Sequence, residues 1–264
     1  PEFAVETLKA LVDNDYNVVA VVTQPDKPVG RHGSVLQPSA VKQYALSRNV
    51  PVLQPVKMKD TEFVNELRSY NANLQVVVAF RMLPEIIWAM PEYGTFNVHA
   101  SLLPQYRGAA PIQRSIIDGQ KVTGVTIMYM EKGLDTGDML TKVVVPLDQD
   151  ETGGSLFDKL SVAVAKLCVE TMELIEEGEV TPEKQGETTT DYAKMITKDL
   201  GKIDFSKSAV EIERLVRGFN PWPSAYTKLG NKTLKIWSAD VLDEEYEGAF
   251  GEIIKVSKTE IFVK

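Results

Sequence analysis

The stretch "FNVHASLLPQYRG", residues 96–108, alternates in character before it turns. Asn97, His99 and Ser101 stand two apart, so on an extended strand they share one face, and Phe96, Val98 and Ala100 share the other. An amide and an imidazole presented together at a strand end can polarise a carbonyl and move a proton. The plain alternative is an edge strand with a hydrogen-bonded histidine. A second polar stretch, "GLDTGD" at 133–138, flanks Asp135 with Gly133 and Gly137, as a turn would, and offers a carboxylate. If the three converge, they form an acyl-transfer set. Asn97 donates to a developing oxyanion, His99 supports that donation or moves a proton, and Asp135 orients His99. The spacing leaves open whether they meet, and Asp135 alone also reads as a turn residue.

Competing chemistries lack their residues. Two histidines, His32 and His99, and one cysteine, Cys168, supply no HExxH, no CxxC and no structural zinc set. There is no GxGxxG, no GxxxxGK[ST] and no GxSxG, which removes the dinucleotide fingerprint, the P-loop and the nucleophile elbow. The single cysteine cannot close an internal disulfide and suits a reducing compartment. No apolar run approaches the ~20 residues of a membrane span and no signal peptide is visible, so the expectation is a soluble cytoplasmic protein. The 264 residues, 44% hydrophobic and 25% charged, allow one large domain or a large and a small one.

The elements that must position these groups follow from hydrophobic period. Residues 1–13 read as an amphipathic helix, and 17–24 (NVVAVVTQ) as a strand buried on both faces. Residues 24–38, with three prolines and two glycines, form a loop long enough to be functional. A helix at 39–48 that Ser39 can cap, a short strand in VPVLQP, a helix at 61–70 and a buried strand in LQVVVAF follow. Strand then alternates with helix through 96–98 and 111–118, which argues for an α/β fold with a mainly parallel sheet. GVTIMYM and MLTKVVVPL are further strands, and 155–177 is a long helix. From residue 179 the texture is polar and linker-like; beyond it a helix at 209–217 and short strands suggest a small β-rich domain.

"FNVHASLLPQYRGAAPIQRSIIDG", followed by "GVTIMYMEKGLDTGDML", resembles the formyltransferases that use 10-formyltetrahydrofolate. The resemblance covers nearly the whole chain, including "TQPDKPVGR", "GETTTDYAKMI" and "RGFNPWPSAY", and is strongest to members acting on initiator methionyl-tRNA. It implies a Rossmann-like catalytic domain over 1–184, a linker over 185–205 and a small β-barrel-like (OB-like) tRNA-binding domain over 206–264. It further implies that Asn97, His99 and Asp135 are catalytic. The pterin pocket would be lined, largely by backbone, by Phe80, Arg81, Met82, Leu83 and Pro84. Ser101, Leu102, Leu103 and Pro104 would build its floor, with Gly108, Gly133 and Thr136 completing it. Formyl transfer to the α-amine of the methionyl group would need no metal, and a monomer is expected. The chain departs from this pattern in lacking a first apolar strand before "PEF", in ending inside the second domain, and in reading "HGSVLQP" where some relatives carry lysines.

Charge bears on a tRNA partner. The chain carries a net charge of -8, yet residues 206–239 hold a local excess of four positive charges, from Lys207, Arg214, Arg217, Lys228, Lys232 and Lys235 against two glutamates. Phosphate contacts need such an excess, although a solvated face also shows one. Arg31, in the long loop, is expected at the tRNA acceptor end. Trp222, between two prolines, reads as an interdomain packing residue rather than a base-stacking one. The rival activities are formylation of an amino sugar or amino ribonucleotide, and a folate- or RNA-binding module without catalysis.

Overall fold

The computed structural model describes residues 2–264. The chain forms two compact units. One comprises the chain up to Arg107, with Thr123–Pro146 and Phe157–Tyr192; the other comprises Gly108–Val122, Leu147–Leu156 and Ala193–Lys264. The division passes through the expected 185–205 linker, between Tyr192 and Ala193.

The first unit begins with a 3-10 turn, Glu2–Ala4, and helix α1, Val5–Asp13, which bury Phe3 and Leu8; Pro1 of the expected helix lies outside the described residues. Strand β1 (Val21–Val22) pairs in parallel with β4 (Val52–Leu53). Between them, helix α2 (Ala40–Ser47) is capped by the Ser39 hydroxyl, which accepts from Lys42 N at 3.1 Å. Such a cap stabilises a helix by about 1 kcal/mol. Residues 24–38 are not a bare loop. They fold into an antiparallel hairpin, β2 (Lys27–Val29) against β3 (Val35–Gln37), because three-residue extended runs flank a turn with Gly30 at φ +82 and Gly33 at φ +68.

Helix α3 (Thr61–Ser69), capped by Asp60, leads to β5 (Gln75–Val78), and helix α4 (Glu85–Trp88) leads to β6 (Thr95–His99). The strands β5, β6, β7 (Val122–Tyr129) and β8 (Met139–Pro146) form a four-stranded sheet in that order. β5 is parallel to β6, as β1 is to β4, whereas β6 is antiparallel to β7, so this sheet is mixed within the expected α/β class of parallel strands flanked by helices. The β1–β4 pair stands apart from it. A cavity of about 890 Å³, lined by residues 16–23 and 71–78 and by Leu8, Phe63 and Ile175, separates β1 from β5. Each has one edge open to the cavity, and every residue of β5 is only half-buried.

The second unit packs helix α5 (Pro111–Ile117) against helix α7 (Ala209–Gly218) around Ala110, Ile196 and Phe219. Helix α6 (Gly153–Glu176) lies between them in sequence. The expected small β-rich domain contains two antiparallel hairpins, β9 (Ala225–Leu229) with β10 (Lys232–Ile236), and β11 (Ile253–Val256) with β12 (Ile261–Val263). Among the described residues no ladder joins the two hairpins, so no closed barrel exists.

Candidate functional site

β6 is central in its sheet, paired with β5 on one edge and β7 on the other, which keeps its backbone straight and its alternation intact. Asn97 and His99 therefore emerge on one face, Asn97 half-buried and His99 7% exposed. The loop between β7 and β8 carries Asp135 to them. Asn97 Nδ2 donates to Asp135 Oδ1 at 3.5 Å, and His99 Nδ1 lies 3.8 Å from the same oxygen. The three residues do meet, which the spacing in sequence left open.

The loop needs its glycines. A Cβ on Gly137 would stand 1.7 Å from the Tyr129 carbonyl oxygen, and one on Gly133 would stand 1.9 Å from Thr136 Oγ1. Thr136 itself donates to Glu131 Oε1 at 2.5 Å, closing the turn on which Asp135 sits at φ +56.

The ring of His99 is fixed from its other side. Nε2 lies 2.8 Å from the backbone carbonyl oxygen of Tyr106. A carbonyl only accepts, so Nε2 bears the proton, and in the neutral ring Nδ1 holds the lone pair. That lone pair faces the Asp135 carboxylate, which stabilises the imidazolium once Nδ1 takes a proton. The arrangement supplies an amide donor, a basic nitrogen and a carboxylate within 4 Å of one another. Ser101, expected on the same face, is fully buried and donates to Gln105 O at 2.6 Å. It shapes the turn after β6, with Thr126 Oγ1 bridging Ser101 O and Leu103 N.

Of the expected pocket residues, Leu103 is buried with Met128 and Met139, while Leu102 and Pro104 are half-buried. Phe80 and Leu83 pack on the core around Leu53 and Phe63, and Pro84 caps α4. Arg81 donates to the carbonyls of Val56 and Pro55 at 2.9 and 2.6 Å and stacks over Phe80. Its charge is thereby held by the protein. Met82 is 71% exposed. The backbone groups of Met82 and Leu83 make no hydrogen bond among the described residues, so this stretch offers polar main chain beside apolar side chains. Gly108 pairs with Ala193 in the second unit, where a Cβ would come within 2.5 Å of the Ala193 oxygen.

The basic residues divide. Arg217 is held by Glu213 at 2.5 Å and donates to the Glu151 carbonyl at 3.0 Å; Arg214 is half-buried, its guanidinium lying against Gly119. Lys207, Lys228, Lys232 and Lys235 are exposed, the last over the ring of Trp237. Arg31 is exposed at the tip of the β2–β3 hairpin. At the hairpin's base, Asp26 accepts from Gln54 and pairs with Lys42 at 3.1 Å, hydrogen bonds that hold its carboxyl below the usual range. Trp222 is 50% exposed. Gln185 and Thr190 were not among the expected site residues, although both hold groups that carry the site; only their polarity in a stretch without apolar period marked them.

Residues 1–172 match the family described as formyl transferase, and residues 195–264 match the formyl transferase C-terminal domain. The chain belongs to the formyl transferase family. It is 54% identical over 267 residues to the methionyl-tRNA formyltransferase of Agathobacter rectalis, an alignment covering 100% of this chain and 85% of that relative. It is 51% identical over 264 residues to the methionyl-tRNA formyltransferase of Clostridioides difficile, with the same coverage. Among solved structures, HypX from Aquifex aeolicus in complex with tetrahydrofolic acid superposes with a TM-score of 0.65 at 19% identity. That match takes in 94% of this chain but 42% of HypX. The sugar 3N-formyl transferase WlaRD gives a TM-score of 0.67 at 21% identity, over 92% of this chain and 84% of that one. These two likenesses show the shared fold. Among the described residues of this formyl transferase, no helix is long and apolar enough to cross a membrane, and no group of three His, Cys, Asp or Glu side chains is placed to hold a metal ion.

Proposed function

We propose that this formyl transferase moves a formyl group from 10-formyltetrahydrofolate to the α-amine of initiator methionyl-tRNA, with Asn97, His99 and Asp135 as its catalytic residues. The observation that carries the reading is the convergence of the Asn97 and His99 side chains on Asp135 Oδ1, in a chain more than half identical to a methionyl-tRNA formyltransferase.

In the reaction the amine nitrogen forms a bond to the formyl carbon, and the bond from that carbon to the folate N10 breaks. The amine gives up a proton and N10 gains one. Asn97 Nδ2, already a donor toward the site, stabilises negative charge on the formyl oxygen. His99 Nδ1 takes the proton from the attacking amine, and Asp135 holds the resulting imidazolium. The Tyr106 carbonyl keeps the ring oriented through Nε2. The stretch around Met82, with open main-chain polar groups and apolar flanks, is suited to a planar heterocycle with hydrogen-bonding edges. Residues 1–184 serve as the catalytic domain and residues 206–264 engage the tRNA through exposed lysines.

The test gives the protein 10-formyltetrahydrofolate with initiator or elongator methionyl-tRNA and follows formyl-methionine. Turnover of the initiator form well above the elongator form is expected. Equal turnover of both, or turnover only of a small amino sugar, overturns the reading.

A further inference from the structure

Residues 183–190 read in the sequence as polar linker, yet they are laced to both loops that present the site. Glu183 and Met139 exchange backbone hydrogen bonds of 2.9 and 2.7 Å at the start of β8. Two residues later, Gln185 Nε2 donates to the backbone carbonyls of Asp135 and Gly137 at 2.9 and 2.8 Å. Its Oε1 accepts from Arg107 Nε and Nη2 at 3.1 and 2.9 Å. These partners fix the amide's orientation. Turned over, it would set its oxygen against two carbonyls and its NH₂ against a guanidinium.

The held carbonyl belongs to the residue that matters. Asp135 occupies the left-handed region at φ +56, a conformation that persists in a non-glycine residue only when the surroundings hold it. Further along, Thr190 Oγ1 accepts from Tyr106 N at 2.8 Å, and it is the Tyr106 carbonyl that fixes the His99 ring. One segment thus anchors the backbone beneath the carboxylate and the backbone beside the imidazole.

We infer that Gln185, held by Arg107, is a positioning residue for Asp135, and that residues 183–190 set the separation between its carboxylate and His99. This rests on the catalytic reading of Asn97, His99 and Asp135. The residue touches no reacting group. It acts through the Asp135 main chain, so it bears on the chemical step and leaves the stretch at 80–83 untouched.

The full chain is compared with Gln185→Leu, Gln185→Glu, Asp135→Asn and the Asp135→Asn/Gln185→Leu double variant, using 10-formyltetrahydrofolate and initiator methionyl-tRNA. Both Gln185 variants are expected to lower kcat by ~10- to 100-fold, since displacements of about 1 Å in a reacting constellation cost that much. KM for 10-formyltetrahydrofolate stays within about threefold, because binding away from the reacting atoms is unchanged. Gln185→Glu keeps its partner Arg107 but cannot donate, so it isolates the donor role if the Leu variant folds poorly. In the Asp135→Asn background, Gln185→Leu adds little, as two changes in one unit are not additive. Wild-type kcat in folded Gln185→Glu, a rise in KM with kcat unchanged, or full additivity in the double variant overturns the inference while Asp135→Asn stays inactive. Wild-type turnover by Asp135→Asn overturns the site reading itself, and the inference with it.

Discussion

His99 combines two constraints that seldom fall on one ring. It is buried, and its two nitrogens face groups of opposite demand, a carbonyl that accepts from Nε2 and a carboxylate beside Nδ1. The proton on Nε2 therefore belongs to the scaffold, and only Nδ1 is available for chemistry. Replacing His99 with Ala removes the base, and replacing Asn97 with Ala removes an oxyanion donor. Each is expected to lower kcat by ~10²- to 10³-fold while folate affinity changes little. Steady-state kinetics beside a direct folate titration checks this, and a variant that keeps its turnover removes that residue from the chemistry.

At the scale of elements, the β9–β10 hairpin and helix α7 carry the same sign of charge for different reasons. The hairpin turns on Gly230 at φ +59, in a two-residue loop that only such a residue makes without strain, and leaves Lys228, Lys232 and Lys235 exposed along its strands. Arg217 on α7 is instead half-buried between Glu213 and the Glu151 carbonyl. The two groups should separate by experiment. Arg217→Ala leaves a carbonyl and a half-buried carboxylate without their donor, and a loss of about 1–2 kcal/mol in urea unfolding is expected. Lys232→Ala should change stability by less than ~0.5 kcal/mol, yet weaken tRNA binding and lower its salt slope by about one unit. A stable Arg217→Ala variant with a reduced salt slope would reverse the assignment.

Across the whole molecule, the single thiol reports on integrity. Cys168 lies in α6 at 2% exposure, and burial pushes its thiol up from 9.0 to about 12. In the folded chain it stays protonated and inert, since the thiolate is the reactive form. The raised value means that the fold keeps a proton the unfolded chain has released. The contribution is fully present below pH 9.0 and is lost as pH rises toward about 12. A thiol reagent at pH 8 should therefore label the native protein only at the rate of unfolding, and denaturant should make labelling immediate. Fast labelling of native protein would place Cys168 in a mobile part of the fold.

Period and punctuation in the chain determined most of the elements. The Ser39 cap, the strand around Asn97 and His99 and the long helix α6 depend on contacts a few residues apart, and each is legible from residue type. Half of the site was legible for the same reason, since strand alternation puts Asn97 and His99 on one face. Tertiary structure alone decided the rest. Asp135 reaches His99 across 36 residues because β7 returns antiparallel to β6, and the antiparallel pairing itself had no local signature. The same holds for Gln185, whose side-chain hydrogen bonds run to residues 48 to 78 positions away. Polar side chains in a stretch without period carry no mark of their partners. Which of Arg214, Arg217 and the lysines faces solvent is likewise a matter of what folds against them, and charge in the sequence is silent on it.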